Sequence, residues 1–187
     1  MATAEVMERL ITAQELLLMP DDGIPKELVR GRIVTMNVPA PRHGHFCALI
    51  CRLVGNYAED EKDLGRVMTN DSGVVTERGP DTVRGPDVSF YSYKRVPKGA
   101  LPDGYLDVAP EIVFEVRSPT DRWSETGAKV NEYLNGAVLA VCVLDPRTES
   151  ITVYDNDGPP RVFYKGDTLT LPDILPGFEM AIARLFE

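Results

Sequence analysis

A mostly apolar run with an acid in its middle constrains the fold of this chain more than any other feature. Residues 111–118 read EIVFEVRS, and Glu115 stands in them between phenylalanine and valine. A turn follows at 118–121, and residues 124–135 predict a helix that Asn135 and Gly136 end. Residues 137–144 are almost wholly apolar, which is typical of a central strand covered on both faces. We therefore expect a sheet with helices packed on it.

Capping and turn signals place the elements of the N-terminal part. Thr12 and Glu15 form the capping box of a short helix. Arg30-Gly31, inside residues 27–34, predicts the tight turn of a hairpin, because the turn needs positive φ. From residue 42 to about 61 the apolar positions recur every three or four residues, which predicts one helical stripe.

The remaining elements follow from alternation and from turn residues. Strands are predicted at residues 66–76 with an interruption at 71–73, and at 88–93, 150–154, 161–164 and 168–171. Residues 77–84 and 94–104 are expected to be polar loops, and 181–186 a closing helical turn. Helices and strands alternating around one core predict an α/β fold. We expect one domain over residues 1–187, with 1–11 as a loose N-terminal segment.

Charge and cysteine content limit the classes of function that the chain can have. The net charge of −9 argues against general nucleic-acid binding by charge alone, although a locally basic cleft remains compatible with it. Cys47, Cys51 and Cys142 are expected to be small buried hydrophobes, and their spacing favours neither a disulfide framework nor a zinc site. No apolar stretch approaches the roughly 20 residues of a membrane span, so the cytoplasm is the expected location.

Two carboxylates are the best candidates for chemistry. Strand alternation puts Val113, Glu115 and Arg117 on one side of their strand, and Asp87 shares a side with Ser89. A charge at mid-strand is costly, so Glu115 should be paired or bind a cation. Two carboxylates with room for water suit Mg²⁺ or Mn²⁺, which prefer oxygen ligands.

Structural roles compete with these functional ones. Glu115 could form a buried ion pair with Arg117, Arg122 or Lys129. Lys129 could instead pair with Glu125, four residues earlier on the helix surface. Tyr133, one turn after Lys129, is expected to pack in the core. His43 and His45 lie two apart on a helix and therefore cannot easily bind one metal together.

Several short motifs, taken in order, resemble the Uma2 family, restriction-endonuclease-like proteins of the PD-(D/E)xK superfamily. The likeness runs from about residue 12 to 186. The motifs are Glu27-Leu28-Val29-x-Gly31-x-Ile33, Pro41-Arg42-His43, Pro86-Asp87, Glu115-Val116-x-Ser118-Pro119-Thr120, Gly127-x-Lys129-x-x-x-Tyr133 and Asp145-Pro146. Each is weak alone, and their order is specific to the family.

The resemblance implies a restriction-endonuclease-like mixed β-sheet flanked by helices, with additional β-hairpins. It also implies a phosphodiesterase site in which Asp87 and Glu115 bind Mg²⁺ or Mn²⁺. The superfamily lysine would stand two residues after the second acid, where this chain has Arg117. Lys129 on the following helix fits a migrated lysine, and we prefer it to Arg117 as the catalytic cation.

Two more residues match the family's polar positions. Glu27 is either an additional metal ligand or a solvated strand charge. His43 is either an auxiliary residue pointing into a cleft or a capping or surface histidine.

The expected function is a metal-dependent DNA endonuclease. The alternative is a non-catalytic nucleic-acid-binding or regulatory module that retains the nuclease fold. DNA is the expected substrate, and a homodimer is expected because cutting two strands often uses two sites.

Overall fold

The computed structural model describes residues 9–187. Its helices are α1 (Ala13–Leu17), α2 (Pro41–Gly55) and α3 (Trp123–Asn135), with a π-helix at Asn56–Glu61 and a 3-10 helix at Ile182–Leu185. The first strands are β1 (Lys26–Val29), β2 (Arg32–Thr35), β3 (Gly65–Thr69), β4 (Val74–Glu77), β5 (Thr82–Arg84) and β6 (Val88–Ser92). The later strands are β7 (Ile112–Val116), β8 (Ala140–Asp145), β9 (Ser150–Asp155), β10 (Arg161–Tyr164), β11 (Thr168–Leu171) and β12 (Leu175–Ala181).

A six-stranded sheet in the order β10-β9-β8-β7-β6-β3 forms the centre of the fold. Strands β7 and β8 are parallel, and the other neighbouring pairs of this sheet are antiparallel. Because parallel strands need a crossover, α3 lies between β7 and β8 in the chain. Every residue of β8 is buried, which confirms the predicted central strand.

The two faces of this sheet are covered by different elements. Helix α2 and the β11–β12 hairpin cover one face, where Ile112, Phe114 and Val116 join a large apolar cluster. Helix α3 covers the other face, where Val113 packs with Tyr133 in a second cluster. The predicted alternation of β7 is therefore confirmed, and Glu115 faces the α3 side.

A second sheet, in the order β2-β1-β5-β4, lies beside the first. The predicted hairpin is its outer part, with Arg30 at φ 49° and Gly31 at φ 75°. Helix α1, with the predicted capping box, packs on this sheet through Ala13 and Leu16. Strand β5 runs through Gly85-Pro86 into Asp87 and β6, so the two sheets meet at the candidate aspartate.

Some predicted elements differ from the observed ones. The prediction of a loop over residues 77–84 is wrong for its last three residues, because Thr82–Arg84 forms a buried strand. This strand is too short to show an alternating pattern in the sequence. Strand β12 was not predicted, since Pro176-Gly177 breaks its apolar pattern. The predicted strand 66–76 is two strands in different sheets. Residues 9–11 form neither helix nor strand, and the rest of the predicted loose segment lies outside the described residues.

The fold class is confirmed: a mixed α/β fold with a mostly antiparallel sheet, flanking helices and additional hairpins. Among residues 9–187, no helix combines the length and apolar character that a bilayer crossing requires.

Candidate active site

Asp87 and Glu115 lie near each other at one end of the β6–β7 ladder. Asp87 immediately precedes β6, whose first residue, Val88, pairs with Phe114. The charge of Asp87 raises the pKa of Glu115, as expected for neighbouring carboxylates. Asp87 is held there because its Oδ2 accepts a hydrogen bond of 2.6 Å from the Val116 N–H.

Helix α3 brings a hydroxyl and an ammonium to Glu115. The Tyr133 hydroxyl donates to Glu115 Oε1 at 2.7 Å, and Lys129 Nζ lies 3.6 Å from Glu115 Oε2. The pKa of Glu115 is raised to about 7, and burial is the largest cause. Lys129 and Tyr133 oppose this rise, whereas Asp87 and Glu27 add to it. The negative charge of Glu115 is therefore incompletely compensated, as expected for a carboxylate that can accept a cation.

Lys129 lies between two carboxylates. Its Nζ is 3.1 Å from Glu27 Oε1, so Lys129 faces the site rather than Glu125. Burial would lower the pKa of Lys129, but the carboxylates of Glu115 and Glu27 outweigh this effect and raise it. The lysine is therefore charged and oriented toward Glu115.

Glu27 is buried, so it is not the solvated strand charge that the sequence allowed. Its carboxylate accepts hydrogen bonds from Arg84 at 2.6 Å and from the Gly85 N–H at 3.1 Å, in addition to its contact with Lys129. Burial raises the pKa of Glu27, and the charges of Lys129 and Arg84 lower it by more. These donors surround Glu27, which places it as an anchor for Lys129.

Asp71 is a further acid near this group that the sequence interpretation missed. It sits at φ 55° in the turn between β3 and β4, and a Cβ on Gly85 would lie 2.8 Å from the Asp71 Cβ. This close approach requires glycine at position 85. Burial and the neighbouring Asp87 raise the pKa of Asp71. The sequence Asn70-Asp71-Ser72-Gly73 indicated only a turn.

His43 points into the site from the first turn of α2. Its Nε2 lies 2.8 Å from Asp87 Oδ1, and its side chain is 19% exposed. The hydrogen bond with Asp87 raises the pKa of His43. His43 is therefore not a surface or capping histidine. Donor atoms of His43, Cys47 and Asp87 lie within 4.8 Å of one another, and no three carboxylates in the described part of the chain approach so closely.

Arg117 lies apart from these groups. Its guanidinium donates to Asp145 at 2.6 Å and to the Asp121 carbonyl at 2.8 Å, and it stacks 3.8 Å from the Trp123 ring centroid. Arg117 and Asp145 are both buried. The structure thus brings Asp87, Glu115, Lys129, Glu27 and His43 together and directs the Arg117 guanidinium to the end of β8.

Comparison with known proteins identifies the family of this chain. The model of the Uma2 family, described as "Putative restriction endonuclease", matches residues 13–183. The chain belongs to the Uma2 family. A crystal structure of "a putative nuclease belonging to DUF820" from Anabaena variabilis ATCC 29413 is similar, with a TM-score of 0.78 at 19% identity, over 94% of this chain and 97% of that one. At this identity the likeness shows the fold alone. A search of curated proteins gave no match.

The negative charge of this Uma2 site exceeds its positive charge, which favours binding of a cation. Four acids face three basic groups, and one of these, Arg84, also forms an ion pair with Glu132 at 2.5 Å. The acids are Glu27, Asp71, Asp87 and Glu115, and the basic groups are Lys129, Arg84 and His43. Asp87 and Glu115 supply the oxygen donors that Mg²⁺ and Mn²⁺ prefer, so the residues fit such an ion.

Tyr133 is the second functional residue that the sequence interpretation missed, since a core role was expected for it. Its ring is fully buried in the Uma2 fold, as expected, while its hydroxyl binds Glu115. The sequence did contain a signal for this role. Tyr133 stands four residues after the candidate catalytic lysine, and residues four apart share a helix face.

Proposed function

We propose that this Uma2 protein is a metal-dependent endodeoxyribonuclease centred on Asp87, Glu115 and Lys129. The supporting observation is their convergence from three elements of the fold. Asp87 accepts a hydrogen bond from the N–H of Val116, the residue after Glu115, and Lys129 Nζ reaches within 3.6 Å of Glu115 Oε2 from α3. Two oxygen ligands beside a fixed ammonium suit phosphodiester hydrolysis.

Each residue takes a role that follows from its contacts. Asp87 and Glu115 would hold the cation, which when bound supplies a Lewis acid for the phosphate and lowers the pKa of water. Lys129 stabilises the negative charge that develops on the phosphate oxygens. Glu27 orients Lys129, and His43 orients Asp87 by their hydrogen bond. Arg117 takes no part and stabilises the end of β8.

Cleavage of supercoiled plasmid DNA tests the proposal. Wild-type protein should convert the plasmid to nicked or linear forms with Mg²⁺ or Mn²⁺, and EDTA should stop the reaction. Asp87→Asn should lose this activity, because it removes a charged ligand with little change in volume. Glu125→Gln, on the exposed side of α3, is the matched control and should cleave as the wild type does. The assignment is wrong if no metal supports cleavage, or if Asp87→Asn cleaves equally.

The alternative function, DNA binding without cleavage, is favoured by two ion pairs. Lys129 is bound by Glu27 and Glu115, so part of the charge of the site is neutralised within the protein. Under this alternative the plasmid stays intact with every metal while a gel-shift assay still shows a complex.

The affinity for Mn²⁺ should depend on pH near neutrality. Since the pKa of Glu115 is raised to about 7, the carboxyl is protonated below that pH and a cation must displace the proton. We expect the affinity to fall about tenfold per pH unit below pH 7 and to level off above it. Calorimetry in two buffers of different ionisation enthalpy should count about one proton released.

Glu115→Gln separates this proton from that of His43, whose pKa is also raised. The variant should bind Mn²⁺ weakly and lose most of the pH dependence, whereas His43→Gln should keep it. A flat affinity profile in the wild-type protein between about pH 6 and pH 8 would exclude Glu115 as the titrating ligand.

The proposal includes a homodimer, because enzymes that cut both DNA strands often use two such centres. Light scattering on the purified protein should therefore give twice the 20.7 kDa mass of one chain.

A further inference from the structure

A second cluster of ligand-type side chains lies on the α2 side of Asp87. His43 and Cys47 are four residues apart on α2, so they share one face of the helix. That face meets the start of β6, and donor atoms of His43, Cys47 and Asp87 lie within 4.8 Å of one another. In residues 9–187 no other group of three such side chains is as close.

The spacing of the cluster is near that of a bound metal. Metal bonds of about 2.0–2.3 Å in tetrahedral geometry put neighbouring donor atoms roughly 3.3–3.8 Å apart. A closure of at most ~1.5 Å, within reach of side-chain rotation, would therefore complete three corners of a tetrahedron. Water or another ligand would supply the fourth corner.

The donor atoms of this cluster favour a different ion than the Asp87–Glu115 pair does. A thiolate, an imidazole and a carboxylate suit Zn²⁺ and Co²⁺, whereas Mg²⁺ takes oxygen ligands. His43 Nδ1 is buried and has no hydrogen-bond partner among the described residues, although its Nε2 contacts Asp87. An unsatisfied buried nitrogen is uncommon and calls for an explanation.

We propose that His43, Cys47 and Asp87 form a binding site for a Zn²⁺-class cation, with Cys47 bound as a thiolate after its proton passes to solvent. The binding does not depend on the nuclease activity proposed above. Asp87 belongs to both sites, so a cation held by His43 and Cys47 competes with Mg²⁺ for this carboxylate.

Co²⁺ absorption tests the site directly, because thiolate coordination produces a near-ultraviolet charge-transfer band. Without Mg²⁺, wild-type protein should show this band, saturating at one thiolate-bound Co²⁺ per chain, and Zn²⁺ should abolish it. Cys47→Ser should lose the band. Cys51→Ser is the matched control, one turn later on the same helix and likewise half-buried, and it should keep the band.

His43→Gln should weaken Co²⁺ binding at least about tenfold, since loss of even an outer partner of a metal ligand costs that much. The proposal fails if saturating Co²⁺ gives no band in the wild type, if the band persists in Cys47→Ser, or if folded Cys51→Ser loses it.

A measurement on the wild-type chain covers the case in which Cys47→Ser does not fold. Zn²⁺ should slow alkylation of Cys47 by iodoacetamide, located by peptide mass spectrometry, and leave the rate at Cys51 unchanged. Equal Cys47 rates with and without Zn²⁺ would overturn the proposal.

Discussion

Replacing Lys129 by methionine should lower the rate of DNA cleavage about 10²–10³-fold, equivalent to about 2.7–4 kcal/mol of transition-state stabilisation. The ammonium is the cation closest to Glu115 among the described contacts, with Nζ 3.6 Å from Oε2. Methionine keeps an unbranched side chain only one atom shorter and removes its charge. Lys129 lowers the pKa of Glu115, so in the variant this carboxyl ionises only at a higher pH. Above that pH the site has simply lost a positive charge, and its affinity for Mn²⁺ should stay equal or increase.

The combination of slower cleavage with retained metal binding distinguishes a catalytic lysine from a structural one. Single-turnover cleavage and Mn²⁺ calorimetry on the same preparation measure both. Lys165→Met, at an exposed lysine paired with Glu149, is the matched control and should match the wild type. Cleavage by Lys129→Met within about threefold of the wild type would exclude the charge stabilisation assigned to this lysine.

Replacing Arg117 by methionine should lower the free energy of unfolding by about 3–5 kcal/mol, because it leaves the buried carboxylate of Asp145 without its charged partner. Both side chains are at most 7% exposed, and the guanidinium also stacks on Trp123. Urea unfolding followed by tryptophan fluorescence measures the change. Cleavage per folded molecule should stay near that of the wild type.

Two further variants make the Arg117 result specific. Arg117→Met combined with Asp145→Leu should recover much of the lost stability, since an apolar pair can replace a buried ion pair at little cost. Arg161→Met breaks a more exposed pair with Asp155 and should cost less than about 1 kcal/mol. Should Arg117→Met abolish cleavage while the unfolding free energy is unchanged, Arg117 would be the counterpart of the superfamily lysine.

The contrast between Arg117 and Lys129 shows where inference from sequence ended. Alternation placed Arg117 on the face of Glu115, but Arg117 follows the last residue of β7 and reaches Asp145 at the end of the parallel neighbour β8. Lys129 had a local partner in Glu125 and instead contacts Glu27, far away in the chain. Local spacing gives the direction of a side chain and leaves the choice between near and distant partners open.

The chain's own pattern determined most of the architecture. The capping box at Thr12, the apolar stripe of α2 and the buried run of β8 are local signals, because each depends on the conformation of neighbouring residues. The motifs around Asp87 and Glu115 are also short stretches of neighbouring residues, so they indicated the family without knowledge of the fold. Strands β5 and β12 were not predicted from the sequence, because β5 is three residues long and β12 contains Pro176-Gly177.

Tertiary structure alone decided how the site is assembled. The pairing of β6 with β7 sets Asp87 beside the end of β7 that carries Glu115 and Val116. The crossover through α3 brings Lys129 and Tyr133 to Glu115. The positions of Asp71 and Cys47 near Asp87 depend on how a turn and a helix pack against that residue. Such contacts join residues distant in the chain, so only the packed fold specifies them.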